Sequence, residues 1–332
     1  MRPRLLCILI ALLAGGAEPS LSRFRFTEPH MGTRFQIIVY APDKDTADKA
    51  AKDAFARIES LNGSMSDYQQ TSELMRLCAK SGGPPVPVSA ELFLVLSQAQ
   101  EVSRQSEGAF DVTVGPVVKL WRKARKRKKL PDAAKLTEAR ALVGWRNIRL
   151  DEKKCTVQLL KSGMLLDLGG IAKGYSADEA LAVLKKHGID RALVAAGGDI
   201  AVSGPPPDAD GWKIAIARLP GEKDAGRLIL HDAAVSTSGD AEQYVEIDGQ
   251  RYSHIVDPRT GIGLLGRMSV TVVARKGIES DSLTKVAAVL GPEKGMKIME
   301  ANKGASVRMV RKIGDEFETM VSKGFPKLHP PN

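Results

Sequence analysis

Asp167, Gly169, Gly170 and Lys173 fall within seven residues, where the apolar pair Leu165-Leu166 gives way to a helical pattern. The amino end of a helix already carries roughly half a positive charge, so a lysine in its first turn opposes the dipole. An anion docked on the exposed N–H groups and Lys173 together would remove that conflict. Asp167 supplies an acceptor beside the same place. The plainer reading is a glycine-containing strand-to-helix turn with a solvated lysine, because glycine needs only a positive φ to be explained.

Three other polar clusters carry possible chemistry. Ser236-Thr237-Ser238-Gly239-Asp240 follows an apolar strand and offers hydroxyls on a permissive backbone, or is simply a polar turn. Ser253 to Gly261 places His254 on a strand shortly before the turn Asp257-Pro258-Arg259-Thr260-Gly261. A lone histidine is more often structural, but this one shares a short stretch with an acid and an arginine. Asp281, Thr284 and Lys285 share one face of a helix start, since residues three and four apart are neighbours. An acid and a hydroxyl there suit a hard cation such as magnesium, which prefers oxygen ligands. An ordinary first turn rich in capping residues has the same composition. No Walker A pattern and no nucleophile-elbow serine are present, and the G-x-G-x-x-G of 261–266 leads into a strand rather than a helix.

The elements that must position these residues follow from periodicity. Arg34 to Tyr40 reads as a strand, and Asp45 to Leu61 repeats Ala47, Ala51, Ala54, Phe55, Ile58 and Leu61 at helical spacing. Ser89 caps a second helix through about Ser106. The apolar stretch Val112 to Leu120 is broken at Gly115-Pro116, and Leu136 to Val143 is a short helix. Asn147–Leu150, Thr156–Leu160 and Met164–Leu166 read as strands, and the helix after Gly170 runs to about Lys186. Strands follow at Ala192–Ala196, Ile200–Ser203, Trp212–Ala217, Arg227–Leu230, Ala233–Ser236, Tyr244–Ile247, Tyr252–Val256 and Met268–Val273, with a hairpin at Asp248-Gly249. Ser280 caps a helix through Leu290, Gly291 stops it and Pro292 opens another to about Ala301. Ser306–Val310 and Phe317–Val321 are closing strands. Strands and helices intersperse without regular alternation, so the fold class is α+β, with mixed or antiparallel sheets and packed helices.

The amino terminus, Met1-Arg2-Pro3-Arg4 followed by Leu5 to Ala14 and Gly15-Gly16-Ala17, reads as a secretory signal over 1–17. A retained amphipathic anchor is the alternative. The apolar run is too short to span a bilayer, which needs roughly 20 residues. The mature chain, 18–332, is long enough to bury a core as one large domain or two smaller ones. Cys78 and Cys155 show no metal-type spacing and do not make a disulfide framework; they read as two unrelated core or surface thiols, with one bridge in an oxidising compartment as the alternative. Of the formal charge of +10, seven basic residues sit in 122–129. That run is a solvated loop or helix end, or a patch for an anionic membrane surface or acidic partner; an exported protein seldom meets nucleic acid, and no aromatic residues interleave it after Trp121.

Taken in order, His30-Met31-Gly32-Thr33, Gly108 to Pro116, Asp167 to Gly174, Gly197-Gly198-Asp199, Ser236 to Gly239, His254 to Gly261 and Asp281 to Gly291 resemble the ApbE-type FAD:protein FMN transferases, from about residue 25 to 322. The resemblance implies a single flavin transferase domain, or two subdomains, exported to the periplasm, with the outer face of the inner membrane as one location there. It implies cleavage of the FAD pyrophosphate, linkage of FMN to a threonine or serine hydroxyl of an acceptor protein, and release of AMP. By matching motif, Met31, Tyr68, Ala109, Phe110, Asp111, Asp167, Lys173 and Ile255 would contact FAD. Gly170, Asp281 and the pair Thr284/Lys285 fall at the magnesium positions, and His254 falls at the catalytic histidine. Such roles suit phosphoryl transfer, which needs charge neutralisation and an in-line hydroxyl. A histidine, with an ordinary pKa of about 6.5, can accept the hydroxyl proton. The diphosphate is expected between 167–173 and 281–285.

Two departures matter. The family usually has threonine four residues after the metal-binding aspartate, and here Lys285 stands there. An ammonium cannot ligate magnesium, so either Thr284 substitutes or Lys285 acts as a tethered cation beside the pyrophosphate. The basic run also replaces a Gly- and aromatic-rich stretch after Leu120-Trp121. The rival readings are an FAD pyrophosphatase, with water in the hydroxyl's role, and an exported FAD-binding protein without catalysis.

Overall fold

The computed structural model describes residues 20–223, 226–239 and 244–330. The signal over 1–17 and Asp240 of the serine-rich cluster lie outside these residues. The helices are α1 (Lys44–Met65), α2 (Glu73–Ala79), α3 (Ala90–Gln105), α4 (Gly115–Arg127), α5 (Ala133–Ala141), α6 (Ala172–Lys186) and α7 (Gly277–Ala301). The strands are β1 (Ser22–His30), β2 (Thr33–Ala41), β3 (Val86–Pro87), β4 (Ile148–Asp151), β5 (Thr156–Leu159), β6 (Ala192–Ala196), β7 (Asp199–Val202) and β8 (Trp212–Ala215). They continue as β9 (Arg227–Leu230), β10 (Ala233–Gly239), β11 (Tyr244–Ile247), β12 (Gln250–Asp257), β13 (Ile262–Leu265), β14 (Arg267–Ala274), β15 (Ala305–Ile313) and β16 (Glu316–Val321).

An eight-stranded sheet in the order β1-β2-β6-β7-β10-β14-β15-β16 organises the molecule, and every described pairing in it is antiparallel. The class is α+β, as the sequence implies. Strand alternation divides the core. Phe35, Ile37 and Val39 of β2 face the alanine-rich side of α1 (Ala47, Ala50, Ala54) and Ala177, Ala180 and Leu184 of α6. Ile38 points the other way, with Leu193 and Val235, to meet Trp212, Ile214 and Leu228 of the β8–β9 hairpin. Every inward residue expected from the α1 periodicity is buried.

Helix α7 lies on the same face as α6 and is kinked once. Gly291 adopts the non-helical φ 72°, ψ −175°, so one helical segment stops there and a second opens at Pro292, as expected. The chain corrects two expectations. Met164–Leu166 forms no strand, because its neighbours draw the backbone into tertiary bonds: Leu166 N–H donates to the Cys78 Sγ at 3.3 Å and Asp167 N–H to the Val112 carbonyl at 2.8 Å. Ser280 is not a cap, because α7 begins at Gly277 and Ser280 is fully buried inside it. Cys78 and Cys155 are free thiols, and burial pushes the Cys78 thiol up to about 11.

Candidate active site

The glycines of two helix starts set the site. A Cβ on Gly174 would fall 2.0 Å from the Gly277 carbonyl oxygen, and one on Gly277 would fall 2.4 Å from that of Gly174. The first turns of α6 and α7 therefore touch backbone to backbone. Asp178, one turn further along α6, caps α7 from outside: Gly277 N–H donates to its Oδ1 at 2.7 Å and Ile278 N–H to its Oδ2 at 3.0 Å. Two orphan donors of α7 are satisfied by a neighbouring helix.

This crossing places Asp281, which is wholly buried, against the start of α6. Its Oδ2 accepts from Gly174 N–H at 3.1 Å and lies 3.9 Å from the Lys173 Nζ. Its Oδ1 accepts from the Lys285 ammonium. Lys173 also pairs with Asp199 at the first position of β7. Burial disfavours the Asp199 carboxylate, but Lys173, and then Lys285, outweigh it and hold its pKa below the usual range. Burial likewise disfavours the Lys173 ammonium, and Asp199 and Asp281 reverse the balance, so Lys173 stays charged. The dipole conflict read from the sequence is thus answered first by the protein's own carboxylates.

Helix α7 is registered on the sheet by hydroxyls. Ser236 Oγ meets Ser280 Oγ at 2.8 Å, and Ser238 Oγ meets Thr284 Oγ1 at 2.8 Å. The pattern works because four helical residues rise about 6 Å and two strand residues about 6.8 Å. Thr284 Oγ1 also donates to the Asp281 carbonyl at 2.7 Å.

The loop entering α6 closes the other side. Asp167 Oδ1 accepts from Gly169 N–H at 2.8 Å, and Oδ2 accepts from Arg122 at 2.9 Å. Arg122 also binds Asp67, and its guanidinium lies 4.2 Å from the Tyr68 ring centroid. Burial and the Asp67 charge push the Asp167 carboxyl up, against Arg122 and the Gly169 amide. Phe110 meets the backbone at Gly170, where a Cβ would come 3.3 Å from its ring and 3.5 Å from both Cγ and Cε of Lys285. Asp111 has a structural task. It accepts from Thr113 N–H at 2.8 Å and Trp145 N–H at 2.8 Å, and burial raises its pKa.

His254 and Ile255 lie on β12 in the separate sheet β11-β12-β13. The β12–β13 register shifts between Tyr252 and Val256, so His254 sits in an irregularity of the kind that re-aims a side chain. Strand β12 packs against α4 and α7, and Arg259, just beyond it, donates to the Val289 carbonyl at 3.4 Å. Met31 occupies the β1–β2 turn at φ 49°, where its Sδ accepts from Ser176 at 3.5 Å. Ala109 is buried and Tyr68 is 72% exposed.

Gly170, Lys173, Asp281, Lys285 and Phe110 therefore form one contiguous group; Asp167 stands on the same loop, and Arg122 links it to Tyr68. Sequence reasoning gives no role to Arg122, Asp178 or Asp199. Arg122 is hidden in the basic run, and the acids find their partners only through the fold.

The magnesium positions do not assemble a cage for a hard dication. Both Asp281 oxygens are engaged by protein donors, the Thr284 hydroxyl is turned to Ser238, and Lys285 brings N–H donors where an oxygen ligand is needed. Among the described residues no group of three His, Cys, Asp or Glu could hold a metal ion.

The model of the ApbE family matches residues 31–309. An FAD:protein FMN transferase of Vibrio cholerae is 33% identical over 332 residues, spanning 98% of this chain and 98% of that protein. The solved structure of the flavin transferase ApbE from Vibrio cholerae aligns with a TM-score of 0.84 at 32% identity, covering 92% of this chain and 98% of its own. The apo flavinyl transferase ApbE of Pseudomonas stutzeri gives 0.81 at 29% identity, covering 91% and 95%. Agreement in sequence and in backbone thus takes in most of the chain, which belongs to the ApbE family.

Proposed function

We propose that this protein is an exported FAD:protein FMN transferase. The observation that carries the reading is the meeting of Lys173 and Lys285 on Asp281, beside the loop 167–171. Two ammonium ions beside a helix start form a seat for the two charges of a dinucleotide's diphosphate. Phe110 and Tyr68 are aromatic surfaces for the flavin end.

In the reaction a threonine or serine hydroxyl of an acceptor protein attacks the FMN phosphorus of FAD. The bond from that phosphorus to the bridging oxygen breaks, and AMP leaves with the electron pair. His254 takes the hydroxyl proton. Lys173 and Lys285 hold the diphosphate and neutralise charge that builds on it. Export is supported by the signal pattern over 1–17, and we place the protein in the periplasm. The exposed end of α4, Lys126 to Lys129, is the surface through which it would meet an anionic membrane.

Incubation with FAD, magnesium and a threonine-containing acceptor peptide tests the reading. Covalent flavin on the peptide is the expected result. Free FMN plus AMP would make the protein a pyrophosphatase, and intact bound FAD would make it a binding protein.

A further inference from the structure

We infer that the Lys285 ammonium does the work of a divalent cation here, so that FAD binds to this chain without a metal ion. The inference rests on the diphosphate seat proposed above.

Asp281 already holds a cation: its Oδ1 accepts from the Lys285 ammonium, whose positive charge would repel a dication at that oxygen, and its Oδ2 accepts from Gly174 N–H. Thr284 donates its one hydroxyl proton to the Asp281 carbonyl, accepts from Ser238, and is fully buried. That helix face therefore presents an ammonium and an internally bonded hydroxyl rather than a set of open oxygen ligands.

Lys285 is also where the charge is needed. Its stem runs past Gly170, 3.5 Å from where a Cβ would stand, so the ammonium lies between the backbone of the 167–171 loop and the first turn of α7. An ammonium has three donors. Asp281 takes one and fixes the head, leaving others for phosphate oxygens. Lys173 is held in the same way by Asp199, 3.9 Å from the far Asp281 oxygen. Each ammonium is tethered by one carboxylate and keeps donors beyond that bond, enough to give one or more to each phosphate of a diphosphate diester. A Cβ at 170 would crowd the Phe110 ring at 3.3 Å and only touch the Lys285 stem at 3.5 Å.

Calorimetric titration of the purified mature protein with FAD, in EDTA and again in excess magnesium, tests this without reference to turnover. Wild type is expected to bind FAD equally, within about twofold, under the two conditions. Lys285→Ala is expected to lose at least tenfold in affinity in EDTA, and Lys285→Thr to regain affinity at least tenfold on addition of magnesium. The wild-type comparison stands even if a variant fails to fold. A wild-type affinity that rises tenfold or more with magnesium would overturn the inference, as would absence of FAD binding under both conditions. Metal-free FAD binding without flavin on the peptide would leave it standing and remove the transferase reading. Transfer that requires magnesium for FAD binding would do the opposite.

Discussion

Gly174 and Gly277 face each other so closely that neither position has room for a single methyl group. The contact joins the helix carrying Lys173 to the helix carrying Asp281 and Lys285. Gly174→Ala should destabilise the protein by about 3 kcal/mol or more, because the clash is with backbone that has no rotamer to move. Denaturant unfolding of this variant and of Gly277→Ala measures it. A loss below about 1 kcal/mol would mean the helices part easily.

Arg122 spans Asp67 and Asp167 and lies on the Tyr68 ring. Removing it leaves two carboxylates facing each other, one of them, Asp167, with a side chain only 10% exposed. We expect Arg122→Ala to cost about 3 kcal/mol of stability and to weaken FAD binding. A lysine at this position should restore less than half of the loss, since a point charge cannot reproduce the fork. Full recovery in Arg122→Lys would show that charge alone suffices.

His254 is assigned the hydroxyl proton. His254→Ala should reduce flavin transfer by about a hundred- to ten-thousand-fold, while FAD affinity changes little. In-gel flavin fluorescence of the acceptor, paired with FAD titration, separates the two effects. Unchanged turnover would remove the assignment.

Asp178 titrates in a useful range. Burial pushes its carboxyl up to about 6 in the fold, from 3.8, although two α7 amides pull the other way. The folded chain therefore keeps this proton at pH values where the unfolded chain has released it. Its contribution to stability is present below about pH 4 and is lost as pH rises through about 6. The amide introduced by Asp178→Asn does not titrate. The stability of that variant relative to wild type should therefore improve between about pH 4 and about pH 7.5, by about 2 to 3 kcal/mol. Paired unfolding curves at the two pH values read this directly, and a flat difference would mean that the amides win.

The parts of the fold legible in the sequence are those set by neighbours along the chain. Helix α6 is readable to its end because its periodicity, Gly188 and flanking lysines are local signals. The β11–β12 hairpin is readable because Asp248-Gly249 must supply two positive φ angles, which it does at 50° and 75°. What the chain hides depends on distant partners. Helix α7 carries no side-chain cap of its own, since Asp178 supplies it from 99 residues away. The three apolar residues Met164–Leu166 mimic a strand in composition but have no strand to pair with. Strand β1 escapes sequence reasoning because its alternation is short: Phe24 and Phe26 mark the inward face, and Glu28 then breaks it at the sheet edge. At the site, the meeting of 167–173 with 281–285 is legible from the motifs, whereas the answer to the Lys173 charge by Asp199 is not.

The two hydroxyl pairs between β10 and α7 act like gear teeth. Greasy surfaces can slide past one another by fractions of an ångström, but Ser236 with Ser280 and Ser238 with Thr284 mesh at only one setting. Lys285 hangs from that indexed helix directly after the second tooth. Its head inherits a position set by the sheet, which gives a flexible four-carbon side chain the positional certainty of a fixed charge.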